Sequence, residues 1–267
     1  MRNAIKIASL AAAALLATTS ASAQVVTFAS FLSNGGATNM RFVRSASGNT
    51  AAGRTITFHT TTTATSGAGG TAVNFQFQNL GAFSAFVGNV GAVWTMNGTV
   101  TNTAATMNGT TITQTELAGS FSIIANTPIS YGTGQTAVVN GTNLLSGTFS
   151  KITLSGENGG STGSVAGSTT GGSVITFTSD FLTFLPLSNL DMGLTLTSIS
   201  PLLAFTANRA VAGSGSNTFR ASAIGAFSAD PPPVPPSIPE PGTWAMMIAG
   251  MSLVGFARRR RRTAVAA

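Results

Sequence analysis

The segment Thr71-Ala-Val-Asn-Phe-Gln-Phe-Gln78 sets Val73, Phe75 and Phe77 at every second position, with Asn74, Gln76 and Gln78 between them. Successive side chains of an extended chain point to opposite faces, so the octet reads as a strand with one apolar and one polar side. Strands of this kind build an antiparallel sheet that is dry on one face and wet on the other. The same period of two recurs at Gln24 to Phe31, Thr38 to Arg44, Arg54 to Thr62, Ser173 to Ser179, Gly193 to Ile199 and Thr218 to Phe227. No stretch from Gln24 to Ala229 keeps a 3.6-residue apolar period, and the wealth of Thr, Val, Ile and Phe suits pleated, half-buried surfaces. The expected fold class is all-β, with helix only in the two terminal segments. A sheet of ten or more strands must close or fold over, which favours a single β-sandwich or jelly-roll-like domain over a β-solenoid.

Turn chemistry places hairpins. Asn97-Gly98 and Asn108-Gly109 each lie between β-rich runs, and Asn-Gly supplies the positive φ angles of a two-residue type I′ turn. The first would set Met96 opposite Thr99 and Trp94 opposite Thr101; the second would set Met107 opposite Thr110 and Ala105 opposite Ile112. Asn140-Gly141 is a third candidate. Two stretches rich in Gly, Ser and Thr, Thr61 to Gly70 and Gly156 to Gly172, read as mobile surface loops.

The chain has 267 residues, only 7% of them charged, no cysteine and one histidine. Ordinary usage is about 25% charged. Without cysteine there is no disulfide, no thiolate metal site and no cysteine nucleophile. With His59 alone, one chain cannot build a two-histidine metal site, and a Ser-His-Asp mechanism would have to use that residue. The formal net charge of +7 is concentrated at the ends, in Arg2, Lys6 and the run Arg258 to Arg262. Between residues 24 and 238, Arg41, Arg44, Arg54, Lys151, Arg209 and Arg220 face Glu116, Glu157, Asp180, Asp191 and Asp230, a net of +1. No nucleic-acid partner is expected from that balance.

Both ends read as addresses. Met1-Arg-Asn-Ala-Ile-Lys6 precedes an apolar run from Ile7 to Ala17, and the small residues Ala21 and Ala23 stand just before Gln24. That is a secretory signal peptide over residues 1–23, handled by the secretion translocon and cleaved by signal peptidase ahead of Gln24. The folded domain is expected over residues 24–229. A proline-rich spacer follows at residues 230–238, where dense prolines favour extended polyproline II. Then come Pro239-Glu240-Pro241-Gly242-Thr243-Trp244, an apolar segment from Trp244 to Ala257, the cluster Arg258, Arg259, Arg260, Arg261 and Arg262, and a short tail at 263–267. As a helix the apolar segment reaches about 21 Å, short of the roughly 30 Å hydrocarbon core. The arginines hold its end on the cytoplasmic side and leave the body outside, with Trp244 suited to the outer interface.

This C-terminal arrangement, residues 239 to about 262, resembles the PEP-CTERM sorting signal, and in particular the subgroup that begins Pro-Glu-Pro-x-x-Trp-Ala-Met, matched by Pro239, Glu240, Pro241, Trp244, Ala245 and Met246. The resemblance implies a partner, an exosortase that takes the Pro-Glu-Pro motif at the membrane. It also implies export across the inner membrane of a Gram-negative, exopolysaccharide-making cell, transient anchoring, and release to the cell surface or beyond.

For the body, chemistry is sparse. Gly159-Gly160-Ser161-Thr162-Gly163 satisfies the nucleophile-elbow pattern but lacks the strand-to-helix setting that gives it meaning. No Asp-x-Asp-x-Asp cluster offers calcium its oxygen ligands, so neither metal nor cofactor is expected. The reading is a secreted, non-catalytic surface or matrix protein associated with exopolysaccharide or biofilm. The alternative is a carbohydrate- or ice-binding module: Trp94 and Tyr131 are the only candidates for a sugar-stacking platform, and pairs such as Thr195 and Thr197 follow no fixed period. A hydrolase would need two carboxylates brought together, Asp180 with Asp191 or Glu157.

Overall fold

The structure, a computed structural model, describes residues 25–34, 38–46, 48–61, 69–78, 90–126, 140–180, 182–186, 188–233 and Met251. The strands in chain order are β1 (Val26–Ser33), β2 (Met40–Arg44), β3 (Ile56–Thr60), β4 (Thr71–Phe77), β5 (Val90–Val100), β6 (Thr106–Asn108), β7 (Thr111–Ala125), β8 (Asn143–Glu157), β9 (Gly163–Ser168), β10 (Val174–Thr178), β11 (Asn189–Ser200), β12 (Leu203–Ala204), β13 (Ala212–Gly213) and β14 (Thr218–Asp230). A single 3-10 turn, Ala52–Arg54, precedes β3. Twelve strands share one sheet, and β12 pairs with β13. The protein is all-β, a large antiparallel sheet consistent with a β-sandwich. The expected signal helix and, apart from Met251, the helix over 244–257 lie outside the described residues, among which no helix is long and apolar enough to cross a membrane.

Long strands that serve two neighbours along one edge give the sheet its shape. β14 pairs with β11 on one side; on the other, Thr218 to Ala221 pair with β2 and Gly225 to Ala229 with β1. β5 repeats the device, holding β7 on one side and β4 then β3 on the other. β8 likewise holds β7 on one side and β10 then β9 on the other. Because β9 also pairs with β11, the hydrogen bonding runs through β14, β2, β3, β5, β7, β8, β9 and β11 and returns to β14. Closing the circuit leaves these strands few open edges. The bend this demands is visible where β7 and β8 meet. Glu116 and Lys151 take φ angles of 62° and 57°, beside register shifts between Gln114 and Leu117 and between Leu117 and Gly119. Such bulges turn a strand from one layer into the other.

Where two strands share an edge, a gap opens in the ladder, and a buried side chain fills it. Ala223 lies between the β2-paired and β1-paired halves of β14. Asn39 accepts from the Ala223 N–H at 2.7 Å and donates through Nδ2 to the Ala223 carbonyl at 3.1 Å. On β5 the Met96 N–H donates to the Thr60 hydroxyl at 3.0 Å. A buried backbone group must find a partner; Asn39 and Thr60 supply it where the strands cannot.

One contiguous apolar cluster fills the interior. The alternation read at 71–78 holds: Thr71, Val73, Phe75 and Phe77 face inward. Across β14, β2 and β3 the inward residues Phe219, Phe42 and Phe58 form a row in register. Their rings stack at 4.5 Å and 5.5 Å between centroids. Next in the row comes Gly98 of β5, which corrects the first expected hairpin. Asn97-Gly98 is mid-strand, not a turn. A Cβ at 98 would lie 2.3 Å from Phe58 Cζ and 2.5 Å from the Ala118 carbonyl oxygen, so glycine is there to let the ring lie flat on the sheet.

The second hairpin exists with its register moved. Asn108 pairs with Thr111 and Met107 with Ile112, so the central residues are Gly109 and Thr110. Only Gly109 has positive φ (59°), the pattern of a type II′ turn rather than I′. Gly141 has positive φ (93°) at a turn, although most of the connection before it lies outside the described residues. The stretch Gly156 to Gly172 is a further correction. Instead of a mobile loop it contains β9, paired with both β8 and β11. Val165 is buried there, and a Cβ on Gly167 would stand 2.2 Å from Ile152 Cγ2. The glycines admit a close strand rather than loosen a loop. At the other end, β14 runs to Asp230, so strand occupies the first residue assigned to the spacer.

Candidate functional site

The outer face of the sheet carries polar side chains in register, one row of which crosses eight strands. Ser200 of β11 stands opposite Arg220 of β14, Arg220 opposite Arg41 of β2, and Arg41 opposite His59 of β3. The row continues from His59 to Asn97, Ser120, Thr148 and Thr176 on β5, β7, β8 and β10. Alternation puts Phe219, Phe42 and Phe58 inside and therefore their neighbours Arg220, Arg41 and His59 outside, each half-buried. At the far end Thr148 and Thr176 hydroxyls are 2.8 Å apart, and Ser120 Oγ donates to Asn97 Oδ1 at 3.4 Å. His59 is thus on the polar face, as its place beside Phe58 predicts.

A second group of cations gathers below this row. Arg44 is buried at the end of β2, donating from Nη1 to the Ala210 carbonyl at 3.1 Å and from Nη2 to Asn217 Oδ1 at 2.8 Å. Burial lowers its pKa below the usual guanidinium value, and the nearby Arg209 lowers it further. Arg209 Nε donates to Asn49 Oδ1, and Arg54 Nε to the Asn208 carbonyl. Arg44 pins the segment before β14 to β2. Nothing in the local sequence signalled that role, because β2 alternation alone marks position 44 as inward and apolar.

Asp191 and Asp230 are diagonal neighbours on one face of the β11–β14 pair, since Asp191 stands opposite Ser228 and Asp230 opposite Asn189, whereas Glu116, Glu157 and Asp180 lie on or beside other strands. Asp180 Oδ2 accepts from the Asn143 N–H at 2.8 Å, a structural clip at the start of β8. Asp191 lies on β11 opposite Ser168 and Ser228, and Asp230 lies opposite Asn189. A shallow groove of about 570 Å³ is lined by Lys151, Ser168, Ser173, Asp191 and Ser228 over a floor of small residues. Another, of about 490 Å³, holds Glu157 among Thr111, Ser155 and Thr195. Neither groove brings two carboxylates together. Among the described residues no three His, Asp or Glu side chains form a metal-holding group. The Gly159 to Gly163 pattern is the β8–β9 turn and the start of a strand. Trp94 is fully buried against Phe31, 4.6 Å between ring centroids, so it is core and not a sugar platform. Tyr131 lies outside the described residues.

The residues assigned to sorting also lie outside them: Ala21, Ala23 and Gln24 at one end, and Pro239, Glu240, Pro241, Trp244 and Arg258 to Arg262 at the other. For these the comparisons speak. The family model of the PEP-CTERM protein-sorting motif matches residues 237–262. No curated protein and no solved structure matches the chain. An all-β body thus ends in a PEP-CTERM sorting motif, which implies an exosortase-sorted protein that is exported, processed at the membrane and delivered to the cell surface.

Proposed function

We propose that this protein is a non-catalytic component of the cell surface or extracellular matrix that holds exopolysaccharide, or further copies of itself, through its β domain. In this reading signal peptidase cuts before Gln24 and the Trp244–Ala257 segment anchors the chain transiently with Arg258 to Arg262 in the cytoplasm. The exosortase then acts at Pro239-Glu240-Pro241, the tail being of the Pro-Glu-Pro-x-x-Trp-Ala subgroup. The proline-rich spacer stands the sandwich or jelly-roll-like domain off the membrane until release. The observation that carries the reading is the sorting motif at residues 237–262. Catalysis normally needs ionisable groups that converge, and Asp180 is engaged with the Asn143 backbone. Neither groove described above brings two carboxylates together, and Trp94 is buried rather than offered for stacking.

The test is a pull-down of the mature secreted protein on the producer's own exopolysaccharide, together with a biofilm measurement on a deletion strain. Retention on the polymer and a thinner or weaker matrix are expected. A protein that binds neither polymer nor itself, with an unchanged matrix in the deletion strain, contradicts the reading.

A further inference from the structure

The groove beside Asp191 is one half of a longer trough. Ala166, Gly193 and Ala226 stand abreast on β9, β11 and β14, and they floor both that groove and an adjoining hollow of about 350 Å³. Two residues to one side of the floor runs the row Ser168, Asp191 and Ser228; two residues to the other runs Ser164, Thr195 and Ile224. The rows are four residues apart along the strands, about 13 Å. Leu32 and Ile224, both exposed, line the second hollow, so one wall is polar and the other partly apolar. Nothing in the fold requires the floor to be so low. Among the described residues a Cβ on Gly193 would meet nothing within 4 Å, and its φ is not positive. By contrast Gly98, Gly119, Gly147, Gly167 and Gly225 stand where a Cβ would come within 2.3 Å of another atom. Glycine inside a strand weakens it, and its usual reason is the close approach of another backbone or of a ligand.

On the polar wall Asp191 Oδ1 is buried with no hydrogen-bond partner. The serines beside it bond elsewhere, Ser168 with the Thr170 hydroxyl at 2.7 Å and Ser228 with the Thr27 hydroxyl at 3.0 Å. A buried acceptor left unmet costs stability and calls for an explanation; a donor arriving from outside supplies one. The occupant must therefore bring donors to a carboxylate, lie close over Gly193 and offer an apolar surface to Leu32 and Ile224. A pyranose does all three, with hydroxyls on its edge and C–H groups on its face. We propose that the trough binds a neutral, hydroxylated polysaccharide, one sugar unit seated over Gly193 with its hydroxyls donating to Asp191. The inference rests on the exopolysaccharide reading above and names its chemical class and site. An acidic polymer is disfavoured because Lys151, in the same groove, faces two carboxylates, Asp191 and its diagonal neighbour Asp230. A peptide strand is disfavoured because β9, β11 and β14 are each paired on both sides across the trough.

The experiment measures retention of the full chain on immobilised exopolysaccharide of the producing cell, native and after its uronate carboxyls are reduced to alcohols. A detergent without a sugar headgroup keeps the chain in solution. Salt at about 1 M, where the Debye length is about 3 Å, keeps Arg258 to Arg262 from contributing, and EDTA removes divalent cations. Both polymers should hold the parent, with affinities within twofold of each other. Gly193→Val fills the floor and should weaken binding at least tenfold, with a urea midpoint no lower than the parent's because the side chain enters open space. Asp191→Ala should weaken binding by a similar factor and Asp191→Asn by less, while Glu157→Gln, in the other groove, should change it less than twofold. Circular dichroism confirms that each variant is folded. Binding unaffected by either Gly193→Val or Asp191→Ala in a folded chain overturns the site and leaves the exopolysaccharide reading intact. Binding lost when the carboxyls are reduced overturns the neutral ligand, and binding that appears only when calcium replaces EDTA makes Asp191 a cation ligand and overturns the direct contact; both leave that reading standing. No retention on either polymer removes the proposal, and the reading beneath it falls as well only if the chain also fails to bind itself and the deletion strain keeps an unchanged matrix.

Discussion

Asn39 and Thr60 do for this sheet what no strand can do, and their cost of removal follows from the groups they leave behind. Replacing Asn39 by Leu keeps the approximate volume but strands the Ala223 N–H and carbonyl in the interior. Each unsatisfied buried group costs about 1–3 kcal/mol, so Asn39→Leu should lower stability by about 2–5 kcal/mol in urea unfolding. A change within 0.5 kcal/mol would mean that the gap is closed some other way. Glycines give a paired test. Gly98→Ala drives a methyl group into the Phe58 ring and a backbone oxygen that cannot move aside, an overpacking cost of about 3 kcal/mol. Gly109→Ala meets nothing within 4 Å and bears only the cost of positive φ, about 1–2 kcal/mol. Urea midpoints should fall in that order, Gly98→Ala lowest.

At the scale of the elements, β9 is the strand that composition hides. Its Gly and Ser content suits a loop, yet amides of residues 163–168 lie between β8 and β11 and should exchange hydrogen slowly, as core strands do. Gly167→Val, which places bulk against Ile152, should make that segment exchange freely at little cost elsewhere. The strands with a clean period of two, β4 and β14 above all, were legible because burial of one face is recorded in each successive residue. Asn97-Gly98 was misread because an Asn-Gly pair carries the same local signal whether glycine serves a turn or a ring lying over it. The ring is Phe58, forty positions before Gly98, and no local window contains both. The cationic row was illegible for the same reason: Arg41, His59 and Arg220 become neighbours only through strand pairing.

For the whole molecule, two things matter, where charge lies and where the chain is sent. Five of the six body cations lie on β2, on β14 or in the segments flanking β3 and β13, while the carboxylates lie on β7, β8 and β11, after β10 and at the far end of β14. That separation gives the domain a basic side although its net charge is close to zero. Delivery is implied by the sorting motif at residues 237–262, which follows the last strand in the chain. Intact-mass measurement of the protein recovered from the surface and medium of the producing cell, with and without its exosortase, tests that account most directly. The account predicts a chain beginning at Gln24 and ending near Pro239 to Pro241 when the enzyme is present, and a membrane-held chain that keeps Arg258 to Arg262 when it is absent. Released protein that still carries the arginine cluster in both strains would contradict it.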